Sequence, residues 1–212
     1  MTFSTRLTRT RIGLVIGLIL AVAVFRIVRA TVLPELPNFS PVMAVAFCGG
    51  LFLPGLLAWI IPVAAVMLAD LGLAWILGYE VSGLWQIVRL AGLAGAVGVG
   101  RWLARRETFG LGSFFGLLIA NGLGFYFVTN AATWLVSPDY AKSLAGFIQA
   151  QTIGLPGLPP TWTFLRNALV SDLFFGALIL AVRALALRSD VELAQPLHVE
   201  VRNHPRPSGG VH

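Results

Sequence analysis

From Leu56 to Leu77 the chain reads LLAWIIPVAAVMLADLGLAWIL, an apolar run broken by one charge, Asp70. At a helical rise of 1.5 Å per residue such a run is long enough to cross a hydrocarbon core of about 30 Å. It has no place on the surface of a water-soluble domain. In lipid its backbone N–H and C=O groups need partners within the segment, which a helix provides.

The run has company. Pro-, Gly- and charge-rich breaks divide the sequence into six apolar stretches, about 12–32, 41–53, 55–78, 84–104, 110–135 and 162–187. Only 11% of residues are charged, against about 25% in a soluble domain. The expected fold class is therefore an all-α integral membrane protein with six transmembrane helices. The second stretch would rise only about 20 Å, so it is either buried among its neighbours or surrounded by thinned bilayer. Pro54-Gly55 turns the chain straight back after it.

Basic residues fall beside the apolar stretches: Arg6, Arg9 and Arg11, then Arg101, Arg105 and Arg106, then Arg183 and Arg188. With six spans all three clusters share one side, which the positive-inside rule makes cytoplasmic. Both termini are then cytoplasmic, and 33–40, 79–83 and 136–161 face outward from a bacterial cytoplasmic (inner) membrane. The expected organisation is a basic segment at 1–11, a transmembrane domain at 12–187 and a polar, disordered tail at 188–212. Basic clusters in these positions are topology signals, and no nucleic-acid-binding pattern surrounds them. RTRIGLVIGLILAVAVF resembles a secretory signal, with Ala21-Val22-Ala23 as a cleavage site, but apolar sequence resumes past Arg26 and favours an uncleaved first helix. Cys48 is the single cysteine, and His198, His204 and His212 lie in the tail without ligand spacing, so no disulfide, metal or cofactor is expected.

The polar residues inside the spans carry the functional argument. Counted from the outer helix ends, Asp172, Asp70 and Asn121 lie about 13–15 Å deep, while Arg26, Arg89 and Arg166 lie about 6–9 Å deep. A charge at the bilayer centre costs at least about 2.5–3.5 kcal/mol, so these groups should face one another. Arg166 and Asp172, six residues apart, stand some 120° apart around their helix. The expected partner of Asp172 is therefore Arg26 or Arg89. Arg26, Asp70 and Asp172 form the expected buried charge layer, and Arg166 and Asn167 are expected to touch ligand.

Aromatics crowd the outer half, either as an interfacial belt or as a stacking pocket for a flat solute. The candidate site is an outward-facing cavity between the last four spans, capped by 33–40 and 136–161 and floored by Asp70, Asn121 and Asp172. Its expected contacts are Asn38, Phe39, Trp75, Trp85, Arg89, Asn121, Asn130, Trp134, Trp162, Arg166 and Asn167. Arg26, Arg29, Arg89 and Arg166 outnumber the acids at their depth, which points to a carboxylate- or phosphate-bearing solute if the deep acids are already paired. On the first span Gly13, Gly17 and Ala21 make a stripe of small residues, for packing within the chain or for docking a partner helix.

Six spans in this length, that stripe, and the segments LPNFSPVMAVAFCGGLF (36–52), PVAAVMLADL (62–71), TNAATWLVSPDYAKSLAGF (129–147) and FLRNALVSDLFFG (164–176) resemble a family of bacterial membrane proteins. That family is similar to the substrate-binding S-components of energy-coupling factor vitamin transporters. The resemblance covers roughly 12–187. It implies a six-helix protein that captures a vitamin-like micronutrient from outside and docks, through the stripe at Gly13, Gly17 and Ala21, on a transmembrane coupling protein and ATPases. TNAATWL is also similar to the solitary cobalamin-transporting members, but GYEVSGLWQ lacks the cysteine they offer the corrin metal. No Walker motif is present, so ATP would be used by other chains. The alternative is an accessory subunit of a larger membrane complex. An enzyme is not expected: neither acid stands in a catalytic sequence, and no Ser-His or HExxH arrangement accompanies them.

Overall fold

The computed structural model describes residues 9–78, 83–106 and 108–194, with side chains between 16 and 185 apart from 79–82, 84 and 107. The regular elements among them are helices: α1 (Arg9–Val32), α2 (Val42–Phe52), α3 (Leu57–Leu77), α4 (Gly83–Ala104), α5 (Leu111–Val136), α6 (Leu144–Gln151) and α7 (Thr161–Ala194).

The expectation of six transmembrane helices is not met. Four helices are long and apolar enough to cross a membrane among the described residues: Leu57–Leu77, Trp85–Ala104, Leu111–Val136 and Thr161–Leu185. The chain is thus a multi-pass, all-α membrane bundle with about four candidate spans. The two remaining expected spans are not among them. The first, in α1, begins among residues whose side chains lie outside the described ones, which start at Ile16. In α2 there are only 11 residues, about 16 Å.

Two further differences concern the ends. α6 occupies part of the 136–161 segment read as an outer loop, its N-terminus capped by Ser143, whose Oγ accepts the Gly146 N–H at 3.2 Å. α7 runs to Ala194, into the segment read as the start of a disordered tail. The sides on which the two termini lie fall outside the described residues.

α2 persists despite its length because it meets protein rather than lipid. Every residue from Ala44 to Leu51 is buried, and α3 and α4 pack along it. The approach to α4 is backbone to backbone: a Cβ on Gly50 would come 2.2 Å from the Val97 carbonyl oxygen, and one on Gly100 would come 2.1 Å from that of Phe47. Glycine is therefore required at both crossings. Elsewhere large side chains lie over small residues, with Ile27 of α1 on Gly72 of α3, Phe125 of α5 on Gly92 of α4, and Leu118 and Phe114 of α5 on Gly176 of α7. Phe114 also meets Phe47 edge-on at 5.3 Å, joining α5 to the buried helix.

α3 stops where Gly78 takes a left-handed φ of 66° and returns its N–H to the Ala74 carbonyl. The chain up to Ile179 forms one compact unit; Leu180 begins a second, whose described part is helical to Ala194 and exposes Val182 and Leu185.

Gly100→Ala should lower stability by about 3 kcal/mol or more, because the added methyl meets main chain that cannot yield. Gly98→Ala, where a Cβ meets nothing within 4 Å, should stay within about 0.5 kcal/mol. Denaturant titration of the two variants in the same detergent checks the contrast.

Candidate functional site

Asp70 of α3, 8% exposed, receives three donors from two other helices. Arg26 Nη2 of α1 lies 3.2 Å from Oδ1, while Arg89 Nη1 and Gln86 Nε2 of α4 lie 2.6 Å and 3.0 Å from Oδ2. One carboxylate thus joins α1, α3 and α4. Two guanidinium ions share it, so the cluster keeps a net positive charge, and each guanidinium retains further N–H groups.

Asp172 is answered differently from the expectation. Neither Arg26 nor Arg89 is its partner, since both are engaged by Asp70. The carboxylate, 2% exposed, instead faces the backbone N–H of Ala44 in the first turn of α2. That turn has no side-chain cap of its own. The helix terminus supplies N–H groups and a partial positive charge, which offset part of the cost of burying the acid. The span carrying the acid and the helix receiving it are far apart in sequence, which hid the pairing.

Towards the start of α7 the same helix holds the segment leading into α2. Ser171 Oγ donates to the Ser40 carbonyl at 3.2 Å, and Asn167 Nδ2 donates to the Pro37 carbonyl at 3.0 Å. Between these points Asn38 adopts a left-handed φ of 61°, a conformation that Asn tolerates better than most residues. Three side chains of α7 therefore fix residues 37–44.

A cavity of about 600 Å³ opens between α1, α4, α5 and α7, at the N-terminal end of α2. Residues 38–43 and 154–159 contribute to its wall. Of the expected contacts, Asn38, Trp85, Arg89 and Asn130 line it, as do Arg26 and Asp172 of the charge layer. Asp70 stands behind its two arginines and not in the wall. The structure adds Arg29, Phe125, Tyr126, Tyr140, Phe164 and Ser171. Arg29 could have been placed there from sequence, because it follows Arg26 by three residues and shares its helix face.

The neutral polar groups of the wall are largely committed. Thr129 and Thr133 donate to the carbonyls of Phe125 and Thr129 at 2.9 and 3.0 Å, Asn130 Nδ2 to that of Tyr126 at 2.9 Å, and the Tyr126 hydroxyl to that of Gln151 at 2.6 Å. Arg26 and Arg89 each keep N–H groups beyond those given to Asp70.

The other expected contacts lie elsewhere. Trp75 is 90% exposed, as a lipid-facing side chain would be. Phe39 packs with Phe25 and Phe175, its ring 6.2 and 5.9 Å from theirs. Trp134 donates to the Ala141 carbonyl at 2.9 Å and organises the turn before α6. Arg166 stacks over Trp162 at 5.5 Å and donates to Asn167 Oδ1 at 3.1 Å, on the outside of the cavity. Asn167 is spent on Pro37. Asn121 is absent from the wall, its buried Nδ2 having no acceptor among the described residues. On α1 the stripe is open among the described residues: a Cβ on Gly17 would meet nothing within 4 Å, and Ala21 is exposed. Gly13 lies outside the described side chains. No cluster of three metal-ligating side chains occurs among the described residues.

A model of a family of unknown function, DUF6580, matches residues 6–195. No curated protein and no solved structure matches the chain.

Asp70→Asn should cost about 3–5 kcal/mol, since it strands two part-buried guanidinium ions. Arg166→Gln, at an exposed position with contacts only to Trp162 and Asn167 among those described, should change stability by less than about 0.5 kcal/mol. Denaturant titration in detergent separates them.

Proposed function

We propose that this chain, which belongs to the DUF6580 family, captures a small organic anion in a membrane-embedded cavity and presents it for uptake, as the S-components to which its sequence is similar do for vitamins. The observation that carries this reading is the convergence of Arg26, Arg29 and Arg89 on the 600 Å³ cavity. A volume of that size suits a single drug-sized molecule.

The chemistry of the walls supports an anion. Asp70 offsets only one of its two guanidinium partners, and Asp172 faces the N-terminus of α2. A carboxylate or phosphate entering the cavity would find preorganised N–H donors in surroundings of low dielectric, where charge-assisted hydrogen bonds are strong. Trp85, Phe125 and Phe164 offer an apolar surface to the rest of the solute. The cavity lies at the end of the bundle opposite Arg101, Arg105 and Arg106, so the positive-inside rule puts its mouth outside a bacterial cytoplasmic membrane. In this reading the open face at Gly17 and Ala21 would receive a helix of a coupling protein, and ATP hydrolysis would belong to other subunits.

Native mass spectrometry of gently extracted protein should show one bound small molecule. Once that solute is known, Arg29→Gln should weaken its binding by about 1.5–3 kcal/mol, the range for a hydrogen bond to a charged group. Ala168→Phe, which fills the cavity from α7, should weaken it at least about tenfold with the folded yield unchanged. Constant co-purification with non-ATPase subunits and no bound solute would instead favour an accessory role.

A further inference from the structure

At the opposite end of α2 a second cavity, of about 330 Å³, opens between residues 50–54 and the last turn of α4. Its charged lining is Arg101 and Arg105, and none of its lining residues is acidic. This sets it apart from the larger cavity, where Asp70 and Asp172 accompany the arginines.

Arg101 is only half used. One Nη2–H reaches the Gly55 carbonyl, but its Nε is buried and has no acceptor among the described residues. A buried donor on a cation is costly to leave unpaired, so an acceptor is to be expected there. Arg105 is exposed and forms no ion pair among the described residues. Beside them the Arg106 guanidinium lies 4.5 Å over the ring of Trp102, itself exposed. Trp and Arg together at the end of a spanning helix mark the level of the lipid headgroups. Leu56 and Trp59, at the adjoining start of α3, are exposed as well, so apolar surface begins where the basic cleft ends.

We propose that this cleft is a binding site for the phosphate of an anionic phospholipid of the cytoplasmic leaflet. The Arg101 Nε–H donates to a phosphate oxygen, Arg105 offsets the charge, and the acyl chains follow the apolar side chains of α3 and α4. Basic pockets between helices on the cytoplasmic side are suited to such headgroups, because the leaflet supplies them at high local concentration. The assignment does not depend on what the larger cavity binds.

The test is native mass spectrometry of the full chain from micelles holding equal amounts of phosphatidylglycerol and phosphatidylcholine. Wild type should retain one phosphatidylglycerol in at least about fivefold preference. The Arg101→Gln, Arg105→Gln double variant should fall to parity, while Arg101→Lys, Arg105→Lys should keep a reduced preference. Arg105→Gln alone, at an exposed position, gives the same direction of change should the double variant not fold. Thermal unfolding provides the second arm: phosphatidylglycerol should raise the midpoint of wild type and inorganic phosphate should not. Equal retention of the two lipids by wild type, an unchanged preference in the glutamine variants, or equal stabilisation by inorganic phosphate would each overturn the proposal.

Discussion

The architecture depends on one helix being too short. α2 offers about 16 Å of rise in a layer of about 30 Å, and it is enclosed by other helices along most of its length. The depth it leaves unfilled has to appear as space at its ends. The large cavity lies at its N-terminal end, where Val42 and Met43 are in the wall, and the smaller cleft lies at its C-terminal end, where Gly50 to Pro54 are. Irregular backbone beyond each end is tolerated because it borders protein and cavity instead of lipid. A full-length second span would have closed both openings.

The two buried acids show two ways of keeping a carboxylate in such a layer. Asp70 uses cations and holds three helices at the rim of the cavity, leaving guanidinium donors over. Asp172 faces the N-terminus of α2, with no cationic side chain paired to it among the described residues. Had Asp172 also taken Arg26 or Arg89, fewer guanidinium N–H groups would remain for other acceptors. The polarity of the site therefore follows from where a short helix begins.

The apolar runs that became α3, α4, α5 and α7 were legible because long, nearly uncharged segments admit few other structures. The short length of α2 left burial and thinned bilayer as alternatives, and its packing against α3 and α4 decides for burial. Less accessible were the roles of single side chains. Arg166 and Asn167 looked like ligand contacts because they are polar and near the entrance, yet depth says nothing about azimuth, and α7 turns one outward and the other onto Pro37. Trp75 shares its depth with the cavity and points away from it. The count of six spans failed at α2 because the apolar stretch there folds as a helix of only 11 residues, too short to cross.

The grip of α7 on residues 37–44 has a mechanical side. Asn167, Ser171 and Asp172 clamp one end of α2, while Gly50 and Gly100 set its other half against the backbone of α4 without an intervening side chain. A contact of that kind fits at one register, since sliding α2 along its axis would carry side chains onto backbone where only glycine is accommodated. Clamp and crossings together hold α2 at a fixed depth, and the openings at its two ends keep their sizes with it.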